Sequence, residues 1–259
     1  MNSQYKLVFT ILFSISSFSS FAEQWKLEFT PYIWAAANKG ATGAYVKGAN
    51  GRQVESLTDI DIDFQDFVDH LEYGTMFNFA ATKNDWLIYT EFTHLSVTDD
   101  QASTAGPNGN VAVDLEIEIT GSIWDVMAGY RLLEKEGFNL YAYGGIRYFD
   151  IESKLGVDTN PDLLSIDATL GDDFTDAIVG MHMNWQLNDT FTLQGKAEVG
   201  GFSDQPKEDI LVNVSLTHRL SKQWELKYFY RFMSIDYSGN SFIYDMEVTG
   251  PGIGASYLF

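Results

Sequence analysis

Apolar and polar side chains alternate along most of the chain. In one segment, Trp224, Leu226 and Tyr228 fall on one face, and Glu225 and Lys227 fall on the other. The same period of two recurs in four further segments: 25–33, 73–81, 177–187 and 191–199. Because successive side chains of a β-strand point to opposite faces, this period predicts strands. Each segment has about ten residues, which is the length that a tilted strand needs to cross a bilayer.

Short and long connections alternate between these segments. Four are tight, at 82–85, 132–137, 186–189 and 220–223, and four are longer, polar and acidic, at about 98–110, 155–171, 203–208 and 238–241. Transmembrane barrels have short periplasmic turns and longer external loops. The pattern therefore predicts an all-β fold in which residues 23–259 form one transmembrane antiparallel up-and-down β-barrel of about ten strands.

The region at about 37–70 needs a separate account. If both chain ends lie on the periplasmic side, the strand that ends at the short turn 82–85 must run from the outside toward the periplasm. The first strand runs the opposite way, so the region between the two is one long external excursion. Within it, "GAYV" at 43–46 and "IDIDF" at 60–64 are expected to pair as a hairpin above the membrane, and "DFQDFVDHL" at 63–71 has the apolar spacing of a helix. If the hairpin entered the bilayer instead, the barrel would have twelve strands.

The phase of the alternation changes near Gly121. Leu115 and Ile119 share one face, whereas Trp124 and Val126 take the opposite phase. A slip of one residue is typical of a β-bulge, so we predict a bulge at this point.

Residues 1–22 have the layout of a secretory signal peptide. Lys6 precedes an apolar run from Leu7 to about Phe18, which is followed by small residues and Ala22. This run is too short to span a membrane as a helix. We therefore expect export of the chain and cleavage before Glu23.

Composition excludes several classes of protein. The chain has no cysteine, which excludes a disulfide framework and thiol chemistry. Its formal net charge is −20 at pH 7, whereas a nucleic-acid-binding protein needs a basic surface. Aromatic side chains lie beside the predicted short turns, where a membrane interface favours them: Trp25, Trp86, Phe138, Trp185, Phe191 and Trp224.

These features together resemble Gram-negative outer-membrane β-barrel proteins. The resemblance rests on the apolar leader, the alternating strands and the terminal "GASYLF", and it covers essentially the whole exported chain. It implies that the last strand, through Tyr257 and Phe259, is recognised by the barrel assembly machinery. The stretches "FTPYIWAA" and "DFQDFVDHLEYGTMFNFAATKNDWLIYTEF" also look like a family of small proteobacterial barrels. We expect a monomer in the outer membrane, in contact with lipid and lipopolysaccharide.

Alternation also assigns the side chains that face the lumen. The charged residues and the histidine expected to point inside are Lys26, Glu28, Glu91, Arg147, His182, Lys196, Glu198, Arg219, Glu225, Lys227 and Arg231. Charges of both signs are mixed on neighbouring strands. Two interpretations stay open: a lumen filled by salt bridges, as in small barrels, or a narrow charge-lined pore.

Acidic residues suggest one further site. Three carboxylates share a strand face in each of two segments: Asp59, Asp61 and Asp63, and Asp114, Glu116 and Glu118. Such oxygen ligands are suited to Ca²⁺ or Mg²⁺, which would bridge to lipopolysaccharide phosphates. The alternative is a solvated, self-repelling surface, because neither segment matches a dedicated calcium loop. No other cofactor is expected.

Catalytic machinery is not evident from the sequence. His182 shares the inward face with Asn184 and Asp176, but no serine stands in a nucleophile-elbow motif, and His70 has no matching partner. We therefore expect a structural or interaction role, or passive passage of small solutes, without enzymatic activity. The alternative is an outer-membrane enzyme acting on lipid or peptide at the external rim.

Overall fold

Twelve β-strands make up most of the computed structural model, which describes residues 25–47, 53–65, 71–105, 111–160, 165–202, 208–239 and 242–259. The strands are β1 (Lys26–Trp34), β2 (Ala37–Lys47), β3 (Gln53–Ile62), β4 (Leu71–Lys83), β5 (Trp86–Ala105), β6 (Val111–Lys135), β7 (Phe138–Asn160), β8 (Ser165–Gln186), β9 (Phe191–Val199), β10 (Glu208–Arg219), β11 (Trp224–Ser238) and β12 (Phe242–Leu258). The predicted signal peptide lies outside the described residues.

Ten of these strands close into a barrel. β1 and β4 to β12 follow one another in antiparallel order, and β1 returns to β12 through pairs such as Glu28↔Leu258. Closure leaves these strands without a free edge along the shared height of the barrel. The predicted ten-stranded up-and-down barrel is confirmed.

The remaining two strands form a hairpin, which extends the barrel wall. β2 continues β1 along β12, because Trp34 pairs with Gly252 and Ala37 pairs with Thr249 in the same register. β3 pairs only with β2 among the described strands. A hairpin therefore forms in this region, but the predicted pairing of "GAYV" with "IDIDF" is wrong: residues 43–46 pair with residues 54–57, and residues 60–62 pair with residues 38–40. The twelve strands do not make a twelve-stranded barrel.

β3 also lies in line with β4. Ile62, the last residue of β3, pairs with Asn38. Continued upward, the register between β1 and β4 brings Leu71 opposite Ala37, the neighbouring position. Residues 63–70 are thus inserted between two collinear strands, and most of the predicted helical segment, 66–70, lies outside the described residues.

The two ends of the barrel differ, as the connection lengths predict. At one end, called the turn end, tight turns follow β4, β6, β8 and β10, and Asn84 takes a left-handed conformation with φ of 53°. The opposite end is called the loop end. There the strands are longer than predicted: β5 extends to Ala105, and β7 extends to Asn160. Most residues of the predicted loops at 98–110 and 155–171 therefore belong to paired β-strands of the barrel wall.

The predicted bulge near Gly121 is wrong. The ladder between β5 and β6 keeps one register from Trp86↔Tyr130 to Ala105↔Val111, and Gly121 pairs with Leu95 within it. The apolar face of β6 changes sides instead, since Ile123 packs inside the barrel while Trp124 is exposed outside. The change of phase along β6 therefore reflects a change of environment. Toward the turn end the apolar side chains point outward, and toward the loop end they point into the lumen.

The outer surface near the turn end is an apolar band. Its exposed members include Phe29, Ile33, Trp86, Ile88, Trp124, Val126, Ile146, Val179, Met181, Val212, Val214, Tyr228, Tyr230 and Ile253. On β6 the band runs from Trp124 to Leu133, which at a tilt of about 40° covers roughly 23 Å along the barrel axis. Outer-membrane barrels carry an apolar band of about 25 Å.

Aromatic side chains collect at the turn-end edge of this band. Trp86 packs edge-on against Tyr130 with 5.3 Å between ring centroids, and Trp224 packs against Tyr257 at 5.0 Å. This is the arrangement expected of an interfacial girdle. None of the described residues belongs to a helix that is long and apolar enough to span a membrane.

Candidate functional site

The centre of the lumen holds a cluster of buried charges. Its members, here called the ionic belt, are Glu91, Asp125, Arg147, Lys196, Glu198, Asp209 and Arg231. None of them is more than 8% exposed to solvent. Three cations therefore face four carboxylates in the interior, where an unpaired charge is costly.

Arg147 is the hub of one half of the belt. Its Nε and Nη2 donate to the two carboxylate oxygens of Asp125 at 2.7 and 2.9 Å. Its Nη1 donates to Asp209 at 2.7 Å, and Nη2 also donates to Glu198. A planar guanidinium is suited to this role because its five donors are fixed in a fork. Three carboxylates from three strands thereby converge on one cation.

Glu91 is the hub of the other half. It accepts hydrogen bonds from Lys196 at 2.8 Å and from Arg231 at 2.5 Å. Tyr32 and Tyr89 donate their hydroxyls to the same carboxylate at 2.6 and 2.7 Å. Lys196 also contacts Glu198 at 3.2 Å, which joins the two halves. With Tyr32 included, the belt links seven of the ten barrel strands.

Five members of the ionic belt are predicted from the alternation of side chains, and two are not. Glu91, Arg147, Lys196, Glu198 and Arg231 were assigned to the lumen by alternation, whereas Asp125 and Asp209 were not. Asp125 falls in the region of the misread phase change, and Asp209 lies next to a predicted loop. Their inward phase relative to the exposed Val126 and Val212 was the signal that could have identified them.

One buried oxygen in the belt has no hydrogen-bond donor among the described residues. Asp209 is fully buried, and its Oδ1 accepts from Arg147, but its Oδ2 has no partner. Asp125, in contrast, has both oxygens bonded to Arg147. Asp125 therefore accepts two hydrogen bonds from Arg147, and Asp209 accepts one.

Below the belt, toward the turn end, the lumen is polar. A cavity of about 150 Å³ is lined there by residues that include Glu28, Asn184 and Lys227. Glu28 forms an ion pair with Lys227, and His182 lies 3.2 Å from the side-chain oxygen of Asn184. Nearer the rim, Arg219 pairs with Glu225 at 3.0 Å, and Lys26 is exposed.

Above the belt, toward the loop end, the lumen is apolar. Buried side chains here include Trp34, Ile62, Met233, Ile235, Met246 and Val248. Further up, Phe149, Phe174 and Tyr237 stack, with ring centroids 4.6 and 3.9 Å apart. Arg231 marks the boundary, since its guanidinium lies 5.0 Å from the Trp34 ring centroid. The lumen is thus polar, then ionic, then apolar.

The predicted cation-binding residues lie at the loop end. Asp59, Asp61 and Asp63 are exposed, and Asp61 pairs with Lys39 at 2.9 Å. In the part of the chain that the structure describes, no group of three or more potential ligands is arranged to hold a metal. The side chains of Asp114 and Glu116 lie outside that part. Cation binding stays a prediction.

Glu118 has a partner of its own beyond the apolar band. Lys154 lies 3.2 Å from its carboxylate. The hydrogen bond to Glu118 raises the pKa of Lys154 above its usual value. The Lys154 ammonium is therefore paired with the Glu118 carboxylate.

The chain end is integrated in the barrel wall. The backbone N–H of Phe259 donates to Leu27 at 3.0 Å, and its ring packs edge-on against Tyr257 with 4.9 Å between centroids. Both aromatic side chains thus lie at the turn end, where β12 pairs with β1 and closes the barrel. Their role as an assembly signal stays a prediction.

No protein-family model and no curated protein matches the sequence. Among solved structures, the chain is similar to the outer membrane protease OmpT from Escherichia coli, with a TM-score of 0.56 and 10% identity, covering 92% of this chain and 97% of that one. The translocator domain of the autotransporter NalP from Neisseria meningitidis gives a TM-score of 0.45 and 10% identity, with 99% and 98% covered. The likeness to OmpT, with the closed ten-stranded barrel, shows that this chain has the fold of Gram-negative outer-membrane β-barrel proteins.

Proposed function

We propose that this chain is an integral protein of the outer membrane whose closed lumen does not pass solutes, and that it has a structural or interaction role at the cell surface. The observation that carries this proposal is the ionic belt. A solute crossing the lumen would have to separate Glu91, Arg147 and their partners, which are buried and hydrogen-bonded. Breaking such pairs costs several kcal/mol each, roughly 3–5 by analogy with single-partner removal.

The proposal also assigns an orientation. The turn end faces the periplasm and the loop end faces outward, as the short turns and the apolar band favour. Outer-membrane lipid then contacts the band, and the barrel assembly machinery recognises the last strand during insertion of the exported monomer. The walls of β5 to β8 rise beyond the band, which supports a role in contacts with lipopolysaccharide or another surface partner.

The proposal includes no catalysis. Among the described histidines, His182 contacts Asn184, His94 lies 2.8 Å from Ser122, and His218 stacks on Phe191. A hydrolytic site needs a histidine within hydrogen-bond reach of both a nucleophile and an orienting acid. His94 is within reach of the Ser122 hydroxyl, but among the described residues no hydrogen bond joins it to a carboxylate. OmpT is a protease, but likeness of fold at this identity does not carry an activity with it.

Single-channel recording tests the proposal. Residues 23–259 are refolded, inserted into a planar bilayer, and checked for the folded state by heat-modifiable migration on a gel. We expect no discrete conductance steps, because the ionic belt and the buried apolar side chains above it block the lumen. A porin refolded by the same protocol serves as the positive control.

Reproducible steps would contradict the closed lumen. If such steps also lost charge selectivity in a Lys227→Gln variant, the current would run past the polar cavity, where Lys227 lies. The chain would then be a solute channel.

A further inference from the structure

The apolar part of the lumen, on the loop-end side of the ionic belt and here called the apolar layer, contains a cavity next to the belt. Its volume is about 60 Å³, and side chains from both sides of the barrel line it, among them Trp34, Val97, Ile123 and Met246. At one point the wall recedes: a Cβ added to Gly121 would meet no heavy atom within 4 Å. We refer to this cavity as the apolar chamber.

The lining of the chamber is mostly apolar. Its polar side-chain groups belong to Trp34, Asn38, Thr93 and Tyr244. The Trp34 indole donates to Gly250, the Asn38 amide donates to Ala36, and Thr93 lies 2.9 Å from the hydroxyl of Tyr32, so few polar groups are left for an occupant. A buried water needs two to four polar partners, and apolar cavities instead take apolar molecules. The chamber is therefore suited to a neutral, nonpolar group.

Its size distinguishes among nonpolar groups. A dry apolar cavity of roughly 150 Å³ takes a benzene ring. The apolar chamber is less than half that volume, so a whole ring does not fit, whereas the last few carbon atoms of an alkyl chain can enter while the rest of the chain stays outside.

The strand order places the chamber beside a break in the wall. Ile62 on β3 and Val97 on β5 both line it. Within the described chain, β3 pairs only with β2, and β5 beyond Val97 pairs only with β6. Among the described residues, no backbone ladder therefore joins these two strands. We refer to this break as the β3–β5 seam.

We propose that the apolar chamber binds the end of an alkyl chain, which enters sideways through the β3–β5 seam. The chain comes either from a free hydrocarbon or from the acyl chain of a membrane lipid. The ionic belt forms the floor of the chamber and stops the alkyl group from passing further toward the turn end.

Methyl NMR of the barrel in lipid nanodiscs tests this proposal. The methyl groups of Met233 and Met246 line the chamber, whereas Met181 is exposed on the lipid-facing band. Titration with n-pentane is expected to shift the Met233 and Met246 signals saturably, and benzene is expected to shift them less. Nanodiscs with a nitroxide at the acyl-chain end distinguish the two sources of the alkyl chain. If the Met246 signal broadens more than that of Met127, which is buried elsewhere inside the barrel, the chain comes from a membrane lipid. A response to pentane alone indicates a free hydrocarbon.

A matched pair of variants locates the site. Gly121→Leu fills the chamber and is expected to weaken pentane binding by about tenfold or more, which corresponds to roughly 1.4 kcal/mol. Val126→Leu, on the lipid-facing side of the same strand, is expected to leave it unchanged. If Gly121→Leu does not fold, Gly121→Ala makes the same test with one methyl group. The proposal is overturned if Met233 and Met246 respond to neither probe, or if the response persists unchanged when Gly121 is replaced.

Discussion

At the scale of single residues, burial separates two arginines that look alike in the sequence. Arg147 is fully buried and holds Asp125, Glu198 and Asp209. Arg219 also faces the lumen, but its side chain is 49% exposed at the turn-end rim. Alternation assigns both to the interior, yet only their depth decides how much each one stabilises the fold.

We therefore expect Arg147→Met and Arg219→Met to differ strongly. Loss of Arg147 leaves three buried carboxylates without their shared cation, and removal of one partner from a buried pair costs about 3–5 kcal/mol. Loss of Arg219 removes a half-exposed partner from Glu225, whose side chain is 9% exposed, so water screens part of this pair and we expect a smaller loss than for Arg147. Urea unfolding of both variants in lipid vesicles, followed by tryptophan fluorescence, measures the free energies of unfolding. Equal losses would show that the ionic belt is not a main source of stability.

Partner identity could not be predicted at this scale. Arg147 lies 22 residues from Asp125 and 62 from Asp209, and Arg231 lies 140 residues from Glu91. Alternation states that each side chain points inward but not which side chains meet across the lumen. Barrel closure and strand stagger decide that, and both depend on every strand together.

At the scale of elements, the β2–β3 hairpin is an extension of the barrel rather than part of its closed ring. The ladders of β1 with β4 and β12 do not include it. It covers the loop-end half of β12 from Phe242 to Thr249, and it brings Ile60 and Ile62 into the apolar layer.

Deletion of residues 38–62 is therefore expected to leave a folded but less stable barrel. The remaining segment 63–70 would join positions that the strand registers bring side by side. The variant should still migrate as a heat-modifiable species on a gel, with a lower urea midpoint than the parent. Leu57→Ser, at an exposed position of the hairpin, is the control for local changes. A variant that never acquires heat-modifiable migration would mean that the hairpin is needed for closure.

The phase change near Gly121 shows what an element-level pattern leaves undecided. Alternation identified which residues of β6 share a face. A slip of one residue in the phase predicts a bulge only if the apolar face points to the same side of the sheet throughout the strand. In the structure the apolar face points outward at Trp124 and Val126 but into the lumen at Ile119 and Ile123. A strand between two apolar environments carries no local signal of which one each face meets.

At the scale of the whole molecule, lysines at the two ends test the proposed orientation. Lys39 and Lys154 are exposed at the loop end, whereas Lys135 and Lys222 are exposed at the turn end. A membrane-impermeant amine reagent applied to intact cells should modify the first pair and spare the second, because the outer membrane shields the periplasmic side. Mass spectrometry of the purified protein identifies the modified lysines.

Permeabilised cells provide the control, since all four lysines should then react. Modification of Lys135 and Lys222 but not of Lys39 and Lys154 in intact cells would reverse the assigned orientation.

The sequence alone determined that the chain forms an antiparallel β-barrel, with ten strands against twelve left open, where its tight turns fall and which face of each strand points outward in the turn-end half. These are local properties, because a period of two and a short turn are visible within a dozen residues. Only the tertiary structure decided that the lumen is polar, ionic and apolar in succession, that Arg147 and Glu91 are the hubs of one belt, and that β3 stands above β4. Each of these depends on residues far apart in sequence that meet only once the barrel closes, so no single segment could encode them.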